Sequence, residues 1–220
     1  MSPFVTPSRL RRDLLLLCLL TLLVGASLAA SNTGSNPPAL TNSELLGARE
    51  LCYRIASLDR SVSYAESRRV GECAYLTAAE LRHNYRVVGP PLFHNFLVNT
   101  GIRKRGLCFQ WAEDLLVHLD RLKLTTLELH WGEARAGSLR EHNCIVVTAK
   151  NQPFTTGIIL DCWRHSGHLY WAPVSGDHYP WIEDSAYARI ARGRLEPAAR
   201  GQSISKQRVA KTTAPTLSQL

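Results

Sequence analysis

The sequence lacks an apolar run long enough to span a membrane. Its longest apolar stretch covers residues 14–24, whereas a transmembrane helix needs roughly 20 residues. Basic residues at 9–12 precede the stretch, and Ser27-Leu28-Ala29 follows it as a small-x-small cleavage motif. This order is typical of a secretory signal peptide. We therefore expect residues 1–29 to be removed and the protein to be periplasmic or secreted; the alternative is an uncleaved segment that anchors it in the inner membrane.

The part of the chain that follows has almost no net charge. The formal charge of the whole sequence is +8, but residues 1–30 carry +2 and residues 190–220 carry +5, which leaves +1 for residues 31–189. A body this close to neutral has no basic surface that would bind a phosphate backbone, so we expect no nucleic-acid partner. The basic tail at 190–220 is rich in polar residues, and we expect it to be disordered. It is either a weak contact for anionic lipid or wall polymer, or simply a solvated end.

The predicted mature chain has an odd number of cysteines, so they cannot all pair within it. Cleavage leaves Cys52, Cys73, Cys108, Cys144 and Cys162. Export places them in an oxidising compartment, where spare thiols tend to pair. An odd number nevertheless leaves at least one thiol unpaired within the chain. We predict a disulfide between Cys52 and Cys73, which lie in proposed neighbouring helices, and a free thiol kept for chemistry.

The hydrophobic pattern places helices first and strands second. After a polar linker at residues 30–41, apolar spacing predicts helices from residue 42, over 65–86 and from 91 to about 101. A further helix starts near Cys108 and is apolar on two faces, which indicates burial against a sheet. Strand signals follow at four segments: 124–131, 142–149, 157–163 and 168–174. This order, without internal repeats, predicts an α+β domain over residues 42–189, with a central helix packed on an antiparallel sheet.

Cys108 stands where a glycine-led loop becomes a helix, in the segment GLCFQWAEDL. The unpaired N–H groups at a helix start and the positive end of its dipole favour a thiolate. The same N–H groups can bind an oxyanion as it develops. Such a nucleophile needs a base, and the base needs an orienting group. His142 and Asp161 fit these roles, because a hairpin symmetric about residues 151–152 sets them opposite each other.

Other interpretations of these residues stay open at this point. Cys108 is otherwise a structural thiol and His142 a hydrogen-bonded core histidine, or the two form a zinc site with Asp161. We expect no metal or cofactor. Gln110 either helps to form an oxyanion hole or, as its place in a helix favours, points away from the thiol. His165 and His168, in WRHSGHLYW, fit exposed ends of a hairpin better than metal ligands. Near the proposed triad, Cys144 and Cys162 either form a silencing disulfide or fill the core. The aromatic residues Trp163, Tyr170, Trp171 and Trp181 either fill the core or line a substrate groove.

The ordered set Gly106-x-Cys108-x-x-Trp111-Ala112, then His142 and Asp161 in successive strands, resembles the catalytic core of transglutaminase-like cysteine enzymes. These are relatives of the papain-like proteases, and the resemblance covers about a third of the chain, from residue 100 to 175. CHAP amidases also begin with Gly-x-Cys, but their gap from Cys to His is usually longer than the 34 residues here.

The resemblance implies a papain/transglutaminase-like fold, a catalytic triad of Cys108, His142 and Asp161, and no cofactor. It further implies an exported thiol peptidase or amidase that acts on a peptide, protein or cell-wall amide through a thioester. Two alternatives on the same fold are a transamidating cross-linker and a catalytically silent protein that binds cell-wall material or peptides.

Overall fold

The computed structural model describes residues 39–192. The proposed signal peptide, most of the linker and most of the basic tail lie outside these residues. Within the described range no helix is both long and apolar enough to cross a membrane.

Helices account for the first half of the described chain, in the order that the sequence predicts. Their bounds are α1 Asn42–Ala56, α2 Tyr64–Asn84, α3 Pro91–Asn99 and α4 Cys108–Asp120, and a helix α5 that the sequence analysis did not predict covers residues 185–192. The starts follow known signals. Thr41 and Glu44 form a capping box on α1, Ser63 caps α2, and α3 begins with a proline at its first position.

The second half forms one antiparallel sheet of five strands. The strands are β1 Leu127–Ala134, β2 His142–Ala149, β3 Ile158–His165, β4 His168–Pro173 and β5 Ile182–Glu183, and their order across the sheet is β4-β3-β2-β1-β5. Helix α4 packs on β2 and β3 and buries Leu115, Leu116 and Leu119 completely. The predicted α+β class, with a central helix on an antiparallel sheet, is confirmed.

Strand β1 begins three residues later than the sequence predicts, because a buried carboxylate holds the residues before it. Glu66 accepts hydrogen bonds of 2.7–2.9 Å from the backbone N–H groups and hydroxyls of Thr125 and Thr126. Burial opposes the ionised form, but these four bonds outweigh it and lower the pKa of Glu66 to about 2. The two threonines therefore bind α2 instead of extending the strand.

The hairpin of β2 and β3 has a different register from the predicted one. Ile145 pairs with Leu160, and the same register continued by one residue sets Cys144 opposite Asp161. The predicted direct pairing of His142 with Asp161 is therefore wrong. The cause is the connection, which contains a 3-10 turn at Phe154–Thr156 and is not symmetric about residues 151–152.

The observed register of β2 and β3 differs from the predicted one by two residues, which keeps His142 and Asp161 on the same face of the sheet. Because side chains alternate between the faces of a sheet, a slip of one residue moves a side chain to the other face, whereas a slip of two restores it. His142 and Asp161 thus become diagonal neighbours on one face, within reach of long side chains.

Helices α1 and α2 pack closely against each other at Gly71. A Cβ atom on Gly71 would lie 2.7 Å from the carbonyl oxygen of Ala48 and 3.6 Å from Cβ of Cys52. Cys73 lies two residues further along α2 and so points about 200° away from Gly71. Both Cys52 and Cys73 are free thiols, so the predicted disulfide is wrong, because Gly71 and not Cys73 faces Cys52.

Candidate active site

Cys108 is the first residue of α4, and it is half-buried. The backbone N–H groups in the first turn of an α-helix have no intrahelical partner. The sulfur therefore lies at the end of the helix where N–H groups are available to an anion, as the sequence predicts.

The loop that leads into α4 requires a glycine. Gly106 has a φ of +133°, and a Cβ atom there would lie 2.2 Å from Nε2 of His94. The imidazole of His94 is itself fixed, since its Nε2 donates to the carbonyl of Arg105 at 3.0 Å and its Nδ1 accepts from the N–H of Val88 at 3.3 Å. Helix α3 thus holds the loop two residues before the thiol.

Two side chains of α4 hold the same loop from the other side. Oε1 of Gln110 accepts hydrogen bonds from the backbone N–H groups of Gly106 and Leu107, at 2.8 and 3.1 Å. Nε1 of Trp111 donates to the carbonyl of Gly106 at 2.9 Å. Gln110 and Trp111, which follow the proposed nucleophile in the first turn of α4, thus set the loop geometry.

His142 and Asp161 form a short, buried hydrogen bond. Nε2 of His142 donates to Oδ2 of Asp161 at 2.7 Å, and each residue is only 1% exposed. The structure thus brings together the base and the orienting carboxylate that the sequence predicts, through the diagonal register rather than a direct pair.

The Cys108 sulfur acts on the same imidazole. Burial opposes a charge on His142, but hydrogen bonding and attraction from Asp161 and Cys108 outweigh it and raise the pKa of His142 to about 9. Nδ1 is buried and, among the described residues, has no partner in regular hydrogen-bond geometry. The Cys108 thiol therefore contributes to the raised pKa of the ring but forms no regular hydrogen bond with Nδ1. Because Nε2 is bonded to Asp161, Nδ1 is the nitrogen that can exchange a proton with Cys108.

Asp161 is a fully buried carboxylate that His142 and Arg164 keep ionised. Its Oδ1 accepts from the backbone N–H groups of Trp163 and Arg164, both at 3.0 Å, and its Oδ2 accepts from Nε of Arg164 at 3.0 Å as well as from His142. Burial alone would raise the pKa of Asp161, but these donors and the two cations lower it.

Arg164 links Asp161 to a second carboxylate, that of Asp177. Its two terminal nitrogens donate to the two oxygens of Asp177, each at 2.8 Å, and Nε1 of Trp181 donates to the same carboxylate at 2.7 Å. The guanidinium also stacks on Tyr170 and Tyr179, 4.1 and 4.8 Å from their ring centres. This pair was not predicted from the sequence, although an arginine three residues after Asp161 was a visible signal.

Three aromatic rings surround the imidazole of His142. The ring centres of Trp163, Tyr179 and Trp181 lie 4.8, 5.0 and 5.4 Å from it. Aromatic faces attract cations, so these rings favour the charged imidazolium. Two of the tryptophans that the sequence assigns to core or groove thus pack against the proposed base.

Asn143 brings a side-chain amide to the thiol. Nε1 of Trp131 donates to its Oδ1 at 2.9 Å, which turns Nδ2 toward the site. Nδ2 lies 3.8 Å from the Cys108 sulfur and 3.3 Å from Oε1 of Glu141, while the thiol itself lies 3.7 Å from the Glu141 carbonyl. Asn143 was not predicted from the sequence, although a polar residue beside His142 in an apolar strand was a usable signal.

The two other cysteines near the triad are core thiols. Cys144 and Cys162 are both buried and free. Burial is the main cause that raises the pKa of each thiol, and the charge of Asp161 adds to it. Neither thiol forms a disulfide with any cysteine of residues 39–192, so these two residues fill the core.

The histidines and acids of the site are not grouped as metal ligands. Within residues 39–192 no three His, Cys, Asp or Glu side chains form a cluster able to hold a metal ion. In the proposed zinc site, Nε2 of His142 is already bonded to Asp161. His165 and His168 are exposed at the ends of β3 and β4, as predicted.

No protein-family model, curated protein or solved structure matches this chain.

We predict that Gly106→Ala displaces the nucleophile. The added methyl group combines a strained backbone with a clash against His94, which should cost about 2–3 kcal/mol of unfolding free energy and slow alkylation of Cys108. Gly101→Ala is the matched control, since its φ is +78° but nothing lies within 4 Å of the new Cβ. Urea unfolding and iodoacetamide labelling measure both effects. Equal behaviour of the two variants would show that the contact with His94 does not position the loop.

We also predict that His142 makes stability depend on pH. Its pKa is raised from 6.5 to about 9, so its protonation stabilises the folded state fully below pH 6.5, and this contribution is lost as pH rises through about 9. The loss is on the order of 3 kcal/mol. Urea unfolding of the wild type from pH 6 to 10 should show it, and His142→Gln should have a flatter profile. Parallel profiles would contradict the charged imidazole.

Proposed function

We propose that the protein is an exported cysteine hydrolase with a papain/transglutaminase-like fold, which cleaves an amide bond of a peptide, protein or cell-wall substrate through a thioester. One observation carries the proposal. The imidazole of His142 is bonded through Nε2 to Asp161, while its Nδ1, which has no hydrogen-bond partner within residues 39–192, is available to a thiol at the start of a helix. A base oriented on one side and open on the other is the arrangement that activates a nucleophile.

Support for the fold comes from where the three residues stand. The nucleophile begins a central helix, and the helix packs on the two adjacent antiparallel strands that carry the base and the carboxylate. This is the order and placement that the resemblance to transglutaminase-like enzymes implies.

Before attack, the proton of Cys108 has passed to Nδ1 of His142, and the raised pKa of the imidazole keeps it there as an imidazolium beside a thiolate. The thiolate attacks the carbonyl carbon of the amide, a C–S bond forms, and the π electrons of the carbonyl move to its oxygen. The ionised Asp161 and the three aromatic rings stabilise the imidazolium that results.

The negative oxygen then needs hydrogen-bond donors. The backbone N–H of Cys108 is one, because it lies at the unpaired start of α4. The amide of Asn143 is the second, because Trp131 fixes its Nδ2 at 3.8 Å from the attacking sulfur. The two donors come from α4 and β2, which pack against each other.

In the second half of the reaction, the imidazolium of His142 gives its proton to the amide nitrogen, the C–N bond breaks, and an amine leaves. The acyl group stays on Cys108 as a thioester. The imidazole takes a proton from water, and the hydroxyl attacks the thioester carbon; the C–S bond breaks, the carboxylic acid leaves, and the thiolate of Cys108 remains beside the imidazolium of His142.

We predict that iodoacetamide at limiting concentration labels Cys108 before Cys73. The two thiols are similarly exposed, but burial raises the pKa of Cys73, which lies mid-helix without an imidazole. The rate at Cys108 should be at least about tenfold higher near neutral pH, measured by peptide mass spectrometry. Similar rates at both positions would identify Cys108 as a structural thiol.

The carboxylate is tested by Asp161→Asn, which keeps the shape and removes the charge. Acyl transfer should fall by roughly 10–10³-fold, less than the about 10⁴ known for the equivalent change in a serine triad, because a thiolate and an imidazolium can already form an ion pair. The pH profile of Cys108 alkylation should also change in the folded variant. An unchanged profile would mean that Asp161 does not act on His142.

We predict that Asn143→Ala slows acylation much more than alkylation. p-Nitrophenyl acetate forms an oxyanion on reaction and iodoacetamide does not, so loss of one donor should slow acetylation of Cys108 by about 10²-fold while alkylation changes little. Release of nitrophenolate and mass spectrometry of the acetylated thiol give the first rate. A parallel fall of both rates would show that Asn143 only positions the thiol.

A further inference from the structure

A cavity of about 470 Å³ lies between the end of α2 and the segment that precedes α4. Its size falls in the range of small-molecule binding sites. It is lined by Asn84, Tyr85, Arg86, Ile102, Arg103, Lys104 and Arg105. Four of these seven side chains are cationic, on a body whose net charge is close to zero.

Three of the four cations are not compensated by an acid. Arg105 is paired, with its guanidinium 2.8 Å from Asp114 and 3.7 Å from Glu113. Arg86, Arg103 and Lys104 form no ion pair with any residue of the described chain.

Arg103 is moreover held in place without being neutralised. Its Nε donates to the carbonyl of Arg86 at 3.1 Å and its Nη1 donates to the carbonyl of Ile102 at 3.3 Å. Carbonyl oxygens fix the guanidinium but leave its charge available, as a preformed oxyanion site requires.

The cavity is close to the proposed nucleophile. Arg105 precedes Cys108 by three residues, and three residues of chain span at most about 10 Å. A substrate group bound in the cavity would thus be a few residues along an extended peptide from the amide that the sulfur attacks. A field of fixed cations at this distance also attracts anionic ligands toward the site.

We propose that this cavity binds a carboxylate of the substrate, and that the enzyme prefers acyl donors with an acidic group a few residues from the scissile amide. The inference rests on the proposed function, since the anionic groups of peptide-type amides are carboxylates.

The experiment uses maleimides, which need no known substrate. Maleimidocaproic acid carries a carboxylate on a long methylene arm, and its primary amide is the neutral match. Maleimidoacetic acid and its amide form a short pair that reports the electric field at the sulfur without reaching the cavity. At about 0.1 M ionic strength, where the Debye length is about 10 Å, the long acid should label Cys108 about threefold or more faster than its amide. The short pair should differ less.

The double variant Arg86→Gln/Lys104→Gln should abolish the preference for the long acid. Lys123→Gln/Lys150→Gln is the matched control, because it removes the same charge from exposed positions, and Lys123 shares with Arg86 a φ of +51°. These lysines follow the far ends of α4 and β2, about 20 Å or more from Cys108 and His142. The control should keep the preference.

The outcomes separate the two proposals. Equal rates for the long acid and its amide, with Cys108 still labelled ahead of Cys73, would overturn the carboxylate site and leave the nucleophile intact. A preference that survives in Arg86→Gln/Lys104→Gln would overturn it as well. Labelling of Cys108 that is no faster than that of Cys73 with either reagent would instead count against the proposed function.

Discussion

The site depends on one ionised carboxylate that has no access to water. Asp161 is fully buried, and a buried charge is costly unless cations and hydrogen-bond donors compensate it. Here the imidazole of His142 and the guanidinium of Arg164 lie on the same oxygen, and two backbone N–H groups bind the other. The irregularity of β3 between Asp161 and His165 accompanies this arrangement, since it lets the chain turn its N–H groups back onto the carboxylate.

The carboxylate of Asp161 accepts hydrogen bonds from two cations, His142 and Arg164, and the second cation affects how strongly it attracts the imidazole. A second cation on Asp161 weakens its pull on His142, but the bidentate bonds from Arg164 to Asp177 share the guanidinium charge with a second acid. The chain of alternating charges is therefore balanced when His142 is protonated. This balance explains how a histidine that is 1% exposed can carry a charge, with three aromatic rings packed against it.

The identities of Cys108, His142 and Asp161 could be predicted from the sequence because each stands out locally: a cysteine at a helix start, and two polar residues in apolar strands. Their exact pairing could not. The register depends on the 3-10 turn at Phe154–Thr156, and a two-residue slip was harmless only because it preserves the face. Likewise β1 begins late because Glu66, some 60 residues earlier in the chain, binds Thr125 and Thr126. Asn143 and Arg164 act through tertiary contacts with Trp131 and Asp177, which no local pattern reveals.

The central claim is that one imidazole is coupled to both the thiol and the carboxylate. The most direct test is a pH titration of the His142 ring by nuclear magnetic resonance, in the wild type and in Cys108→Ala. We expect a pKa of about 9 in the wild type, because burial is outweighed by Asp161 and the sulfur, and a lower pKa once the sulfur is removed. A ring that titrates near 6.5, with no change on removal of Cys108, would contradict the account.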